Sequence, residues 1–367
     1  MAMNMVYSFI AAAMGVLVPL YLIEREMDIA AVGLVLSIMP LGFMILRIIF
    51  ASMADGAGTR AMSIVYSAAS IISITIYSIA INPAAFMLAR FFESIRASGF
   101  WAVIRTDILS FRTGERTGNT LAFFGSFQRM ADGAGRLAVG FMIAFFSFSG
   151  SFWILAFLSI ALLLLSLSFN SGKPSAIQID MKTVRRIFSR RERGFWFNSI
   201  GITSISLNIN ILLGFLLPLF ASAELGFAPE KTGIMLAILP IFSGLVMLLF
   251  LKMRLGGRPL LLFTFLMVPA LLLLPILGES IFLLVFILAA GNGCANILAE
   301  CILADAVKNC NNISTEIAVL HVPLRISEFL FMSIGGLVIA AFGFAPLFFV
   351  CATLVGLFVL FAKGYVK

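Results

Sequence analysis

The sequence predicts an all-α integral membrane protein with twelve transmembrane helices arranged as two related six-helix bundles. Three observations carry that expectation. Of 367 residues, 62% are hydrophobic and only 11% charged, with a mean hydropathy of +1.11, a balance at which a soluble chain would precipitate. Apolar runs of the roughly 20 residues needed to cross a hydrocarbon core about 30 Å thick recur from the first residues to the last. Landmarks of the first half also return in the second at a nearly constant offset.

The spans are expected near residues 5–23, 30–53, 61–81, 83–105, 118–146 and 151–169, then near 195–222, 230–252, 259–277, 281–304, 314–343 and 346–363. Helices rather than barrel strands follow from continuous apolar runs such as Leu261 to Leu274 and Ile281 to Ala290, because a lipid-facing strand alternates apolar and polar residues. The first run lacks a basic leader and passes straight into Glu24, Arg25 and Glu26, so the first helix is expected to stay in the mature protein. The chain then divides into an N-terminal bundle (1–169), a basic linker (170–194) and a C-terminal bundle (195–367).

A net charge of +8 raises the possibility of a nucleic-acid partner, and the positions of the basic residues argue against it. With the N-terminus cytoplasmic, most of the 25 Lys and Arg residues fall in loops on that side. Only Arg25 and Lys231 fall outside, and Arg47, Arg90, Arg96, Arg129, Arg136 and Arg325 lie within spans. This is the positive-inside pattern, which puts both termini in the cytoplasm and the protein in the cytoplasmic membrane; no basic patch remains for nucleic acid. Within the linker, Lys182 to Arg193 reads either as a partly amphipathic helix attracted to anionic lipid or as a plain cytoplasmic connection.

The repeat shows in ordered pairs. Gly33 and Pro40 answer to Gly233 and Pro240, Gly58 and Arg60 to Gly256 and Arg258, and Phe86, Leu88 and Ala89 to Phe286, Leu288 and Ala289. Arg129, Asp132 and Gly140 answer to Arg325, Glu328 and Gly336. A duplicated six-helix unit accounts for all of these.

Over its whole length the chain resembles the major facilitator superfamily: six plus six spans, cytoplasmic ends and a basic central loop. The most specific local match follows the second span, where Asp55, Gly58 and Arg60 fit the family's acid, turn glycine and cation, while Ala51, Gly56 and Thr59 depart from it. The resemblance implies that this element latches the cytoplasmic face. Arg90 looks like part of the same gate through an Arg-x-x-x-Gly pattern, although Ser94 stands where the glycine belongs. The antiporter signature of the fifth span is poorly met, since Gly133, Gly135 and Gly140 lie there with no proline.

Ionisable residues inside a membrane are costly and rarely idle. Arg129, Asp132 and Arg136 share one stripe of the fifth span, and His321, Arg325 and Glu328 share one of the eleventh. Arg90, Glu93 and Arg96 repeat the pattern on the fourth. One reading makes Arg129, Arg136, Arg325, Arg96 and His321 substrate-binding residues, since arginine forks suit carboxylate and phosphate groups, with Asp132, Glu93 or Glu328 carrying a coupling proton. The other reading is that each acid simply neutralises the arginine three residues away. Arg47 and Glu300 lie where long side chains can snorkel to the interface.

Enzyme chemistry finds no support: one histidine and no Cys-x-x-Cys spacing exclude the usual metal sites, and no phosphate-binding glycine loop is present. No cofactor is expected, and the expected assembly is a monomer. The sequence thus points to a secondary transporter of small solutes, with protons as coupling ion. Organic-anion movement, amphiphile efflux and a non-transporting sensor or lipid-handling role remain as alternatives.

Overall fold

The computed structural model describes residues 2–57, 59–110, 117–168, 189, 193–253, 256–277, 280–307 and 313–366. Every long element among them is a helix. In order these are α1 (Ala2–Glu24), α2 (Ile29–Ala57), α3 (Thr59–Ile79), α4 (Pro83–Ser110), α5 (Thr117–Leu167), α6 (Arg193–Ile211), α7 (Pro229–Met253), α8 (Gly257–Phe265), α9 (Met267–Leu273), α10 (Ile281–Val307), α11 (Ile313–Leu320), α12 (Val322–Phe342) and α13 (Ala345–Lys363). Among the described residues, nine helical stretches are long and apolar enough to cross a membrane. The linker segment Lys182 to Arg193 lies almost wholly outside the described residues, and its helical reading with it.

Departures from uninterrupted spans have local causes. The fifth and sixth expected spans form one helical run that turns at Ser147, whose backbone sits at φ 62 and ψ 175. The ninth is split into α8 and α9 around Leu266, because Pro269 cannot donate to the Phe265 carbonyl. The eleventh is split at His321 (φ −93, ψ 3), since Pro323 withholds the bond to Val319. Beyond α6 the chain continues through π turns at Leu212–Leu216 and Phe220–Glu224 on either side of Pro218, a register change typical of functional helices.

The core runs through α1, where Ala13, Met14, Val16 and Leu17 are fully buried, while large apolar side chains such as Phe145, Leu283 and Phe349 face outward, as lipid contact demands. The two halves of the chain meet along two seams, α5 on α7 and α2 on α12. Each seam contains a crossing that only glycine permits. A Cβ on Gly33 would lie 2.6 Å from the Met332 carbonyl and 3.2 Å from Gly336 Cα, and one on Gly233 would lie 2.9 Å from both the Arg136 carbonyl and Gly140 Cα. Both crossings sit toward the ends of these helices remote from Ala2 and Ser110.

Candidate functional site

Between the halves lies a cavity of about 320 Å³. Its walls come from mid-helix and from the half of the bundle on the N-terminal side: Asn4 to Gly15 of α1, Leu36 to Arg47 of α2, Arg90 to Trp101 of α4 and Leu121 to Arg136 of α5. The second half of the chain contributes from α6, α7, α10 and the broken α11–α12 pair. Ten ionisable residues of the expected spans line this one space: Arg47, Arg90, Arg96, Arg129, Arg136 and Arg325, against Glu93, Asp132, Glu300 and Glu328. His321 joins them. Lipid cannot solvate such groups, so the helices turn them inward, and six guanidiniums face four carboxyls.

The three stripes behave differently. On α4, Glu93 is clamped within its own helix: Arg90 Nη1 lies 2.5 Å and Arg96 Nη2 2.7 Å from its two oxygens. The Tyr77 hydroxyl from α3 adds a third contact at 3.3 Å. Two cations therefore share one anion. On α12, Arg325 Nη1 lies 2.5 Å from Glu328, and its guanidinium stacks over Phe43 of α2 at 4.0 Å from the ring centre, a cation–π contact between the two halves.

On α5 the intrahelical pairing fails. Arg129 Nη2 donates to Asn296 Oδ1 of α10 at 3.0 Å, and Arg136 Nη1 donates to the Leu213 carbonyl beyond α6 at 2.9 Å. Both arginines reach neutral oxygens of the opposite half. Asp132, between them, lines the cavity half-buried, with no ion pair or hydrogen bond to a described residue. Asn296 is itself held by α10: its amide donates to the Asn292 carbonyl at 2.7 Å and to Asn292 Oδ1 at 3.0 Å, and Asn292 donates to Ser243 Oγ of α7 at 2.9 Å. This chain fixes the acceptor that Arg129 meets.

The remaining expected residues are scattered. His321 Nδ1 lies 2.8 Å from the Ile317 carbonyl of its own turn, with the rest of the ring on the cavity wall. Of the expected cytoplasmic latch, Asp55 falls near the end of α2 and Arg60 near the start of α3, but Gly58 and the Asp55 side chain lie outside the described residues. Arg90, expected with that latch, lines the cavity, where its three-residue spacing to Glu93 puts both on one face of α4.

A helical chain whose inward-facing charges surround a cavity between two halves has the form of a solute carrier. The family model of the Major Facilitator Superfamily matches residues 1–252. The chain belongs to the major facilitator superfamily. It is therefore a multi-pass membrane transporter that binds small molecules. No curated protein matches it.

Several residues that line the transporter's cavity or hold its lining side chains in place were not singled out from the sequence. Asn292 and Asn296 carried a usable signal, two amides one turn apart in an otherwise apolar run. Tyr77, and Tyr7 with the Arg96 guanidinium 5.7 Å from its ring centre, carried none. Nor did the Leu213 carbonyl, which no side chain marks.

Proposed function

We propose that this transporter moves a small organic anion by alternating access and couples that movement to protons through Asp132. The observation that carries the reading is the cavity's charge balance: six arginines against four carboxyls, with two carboxyls already committed to helix partners. Guanidinium forks suit carboxylate and phosphate oxygens, and among the described residues Arg129 and Arg136 are held by neutral oxygens that an anion can replace. Asp132 sits between them with no hydrogen-bond or ion-pair partner among the described residues, so gain or loss of its proton changes the charge an arriving anion meets. Arg325, Arg96 and His321 complete the binding wall. Glu93 and Glu328, both ion-paired, rank behind Asp132 as proton carriers.

The twelve-span, two-bundle architecture belongs to the same proposal. The Thr120–Leu167 stretch is 48 residues long, about 70 Å at 1.5 Å per residue, enough for two crossings. The glycines that answer one another at offsets of 200 and 196 residues meet crosswise, Gly33 on Gly336 and Gly233 on Gly140. That supports a duplicated unit. With the positive-inside assignment the termini are cytoplasmic, the cavity lies on the inner side and the glycine crossings close the outer side. The basic linker then lies against anionic lipid of the inner leaflet.

A second reading, export of amphiphiles, draws on the apolar part of the same wall, where Tyr7, Met39, Phe43, Trp101 and Phe124 lie beside the charges. Flux in sealed proteoliposomes separates the two. With a panel of carboxylates and organic phosphates, the wild type accumulates its substrate under a pH gradient, Asp132→Asn exchanges substrate without accumulating it, and Arg129→Ala does neither. Undiminished accumulation by Asp132→Asn overturns the coupling role, and flux of cationic amphiphiles alone overturns the anion.

A further inference from the structure

The Leu213 carbonyl owes its availability to a residue five positions away. In an α-helix it would accept from the Leu217 N–H, and in a π turn from the N–H of residue 218. The Leu217 N–H donates to Leu212 instead, and residue 218 is proline, which has no N–H. Both helical donors are withheld. Leu212, Leu213 and Leu216 are buried, away from bulk water, and such a carbonyl requires a partner. The partner is Arg136 Nη1, from the other half of the chain, at 2.9 Å.

Arg136 also lies on the α5–α7 seam, which continues through Gly133 to the close approach of Gly244 to Ser126. Its own carbonyl is the atom 2.9 Å from where a Cβ on Gly233 would lie, and its guanidinium lies 3.8 Å from the corresponding point on Gly15. The side chain is buried at the end of the cavity next to the Gly140–Gly233 crossing. Breaking its bond to Leu213 removes a hydrogen bond between the halves at the point where they must part for the cavity to reach the opposite face.

We infer that Arg136 and the Leu213 carbonyl form a latch holding the cavity closed on the side remote from the N-terminus, and that Pro218 is the residue that arms it by denying that carbonyl a helical donor. Pro218 is thus a positioning residue: it touches no substrate, and acts through the oxygen it leaves for Arg136. The latch does not depend on what the carrier moves. Under the reading proposed above, an anion reaching Arg136 competes with Leu213 for the same N–H and so favours release.

The test needs no substrate. A single cysteine is placed at Met39, on the cavity wall, after the four native cysteines are replaced by alanine, and its labelling by a membrane-impermeant maleimide is measured from the face opposite the N-terminus. Pro218→Ala supplies the missing N–H to Leu213 and raises labelling about two- to tenfold, the range by which one hydrogen bond shifts an equilibrium. Pro240→Ala, a second helix-interior proline with no bearing on Leu213, leaves labelling near the starting value. In an Arg136→Ala background, where the latch is already open, Pro218→Ala adds nothing. Unchanged labelling in well-folded Pro218→Ala, an equal rise in Pro240→Ala, or an undiminished effect without Arg136 each overturns the latch. None of these outcomes bears on whether the substrate is an anion.

Discussion

At the scale of single residues, the same three-residue spacing between arginine and acid gives two outcomes. Glu93 sits between two guanidiniums and a tyrosine hydroxyl, so Glu93→Gln leaves two buried cations without a counter-charge. Loss of one partner of a buried pair costs roughly 3–5 kcal/mol, and thermal unfolding in detergent is expected to show a large fall in Tm. Asp132→Asn removes a carboxylate with no ion-pair partner among the described residues, and the same scan is expected to show a much smaller change. Equal destabilisation by the two would mean that Asp132 is structural. The sequence revealed that all these groups must face protein, because lipid admits none of them. It left open which acid pairs at home, because a rotamer reaching three residues along its own helix and one reaching across the cavity satisfy the same spacing. The structure separates them: Arg129 finds Asn296, Arg136 finds Leu213, and Asp132 is left between.

At the scale of elements, the breaks were partly legible. Pro323 and Pro269 announced where helices had to lose a hydrogen bond, and α11–α12 and α8–α9 divide beside them. Pro40 and Pro240, equally visible, lie inside continuous α2 and α7, because packing on both sides of those helices holds them together. The turn at Ser147 has no proline, although it falls in the gap between the spans expected at 118–146 and 151–169. Its φ of 62 with ψ 175 falls in a region essentially reserved for glycine, at a cost of about 1–3 kcal/mol for other residues. Ser147→Gly is therefore expected to raise Tm and Ser147→Val to lower it; a Ser147→Gly variant less stable than wild type would contradict the assigned geometry. Glycines at the seams were legible as repeats, but not as partners. Gly233→Ala places a methyl against the Arg136 carbonyl and Gly140, and overpacking of that kind costs about 1–3 kcal/mol. It is expected to disfavour the closed crossing, read as increased labelling of Met39→Cys from the face remote from the N-terminus.

At the scale of the whole molecule, family membership and the transporter form rest on the matched first 252 residues and on a cavity that gathers ten ionisable side chains of the expected spans. Under the proposed reading the cavity's charge selects what it takes, and mass action makes that measurable without knowing the substrate. Any ligand that binds the folded carrier raises its Tm. The most direct measurement is thermal unfolding in detergent against matched panels of organic anions, organic cations and neutral amphiphiles, repeated with Arg129→Ala. Stabilisation by members of the anion panel alone, lost in Arg129→Ala, is the result expected of an arginine-lined anion site. Stabilisation by cationic amphiphiles alone, or by anions equally with and without Arg129, would contradict it.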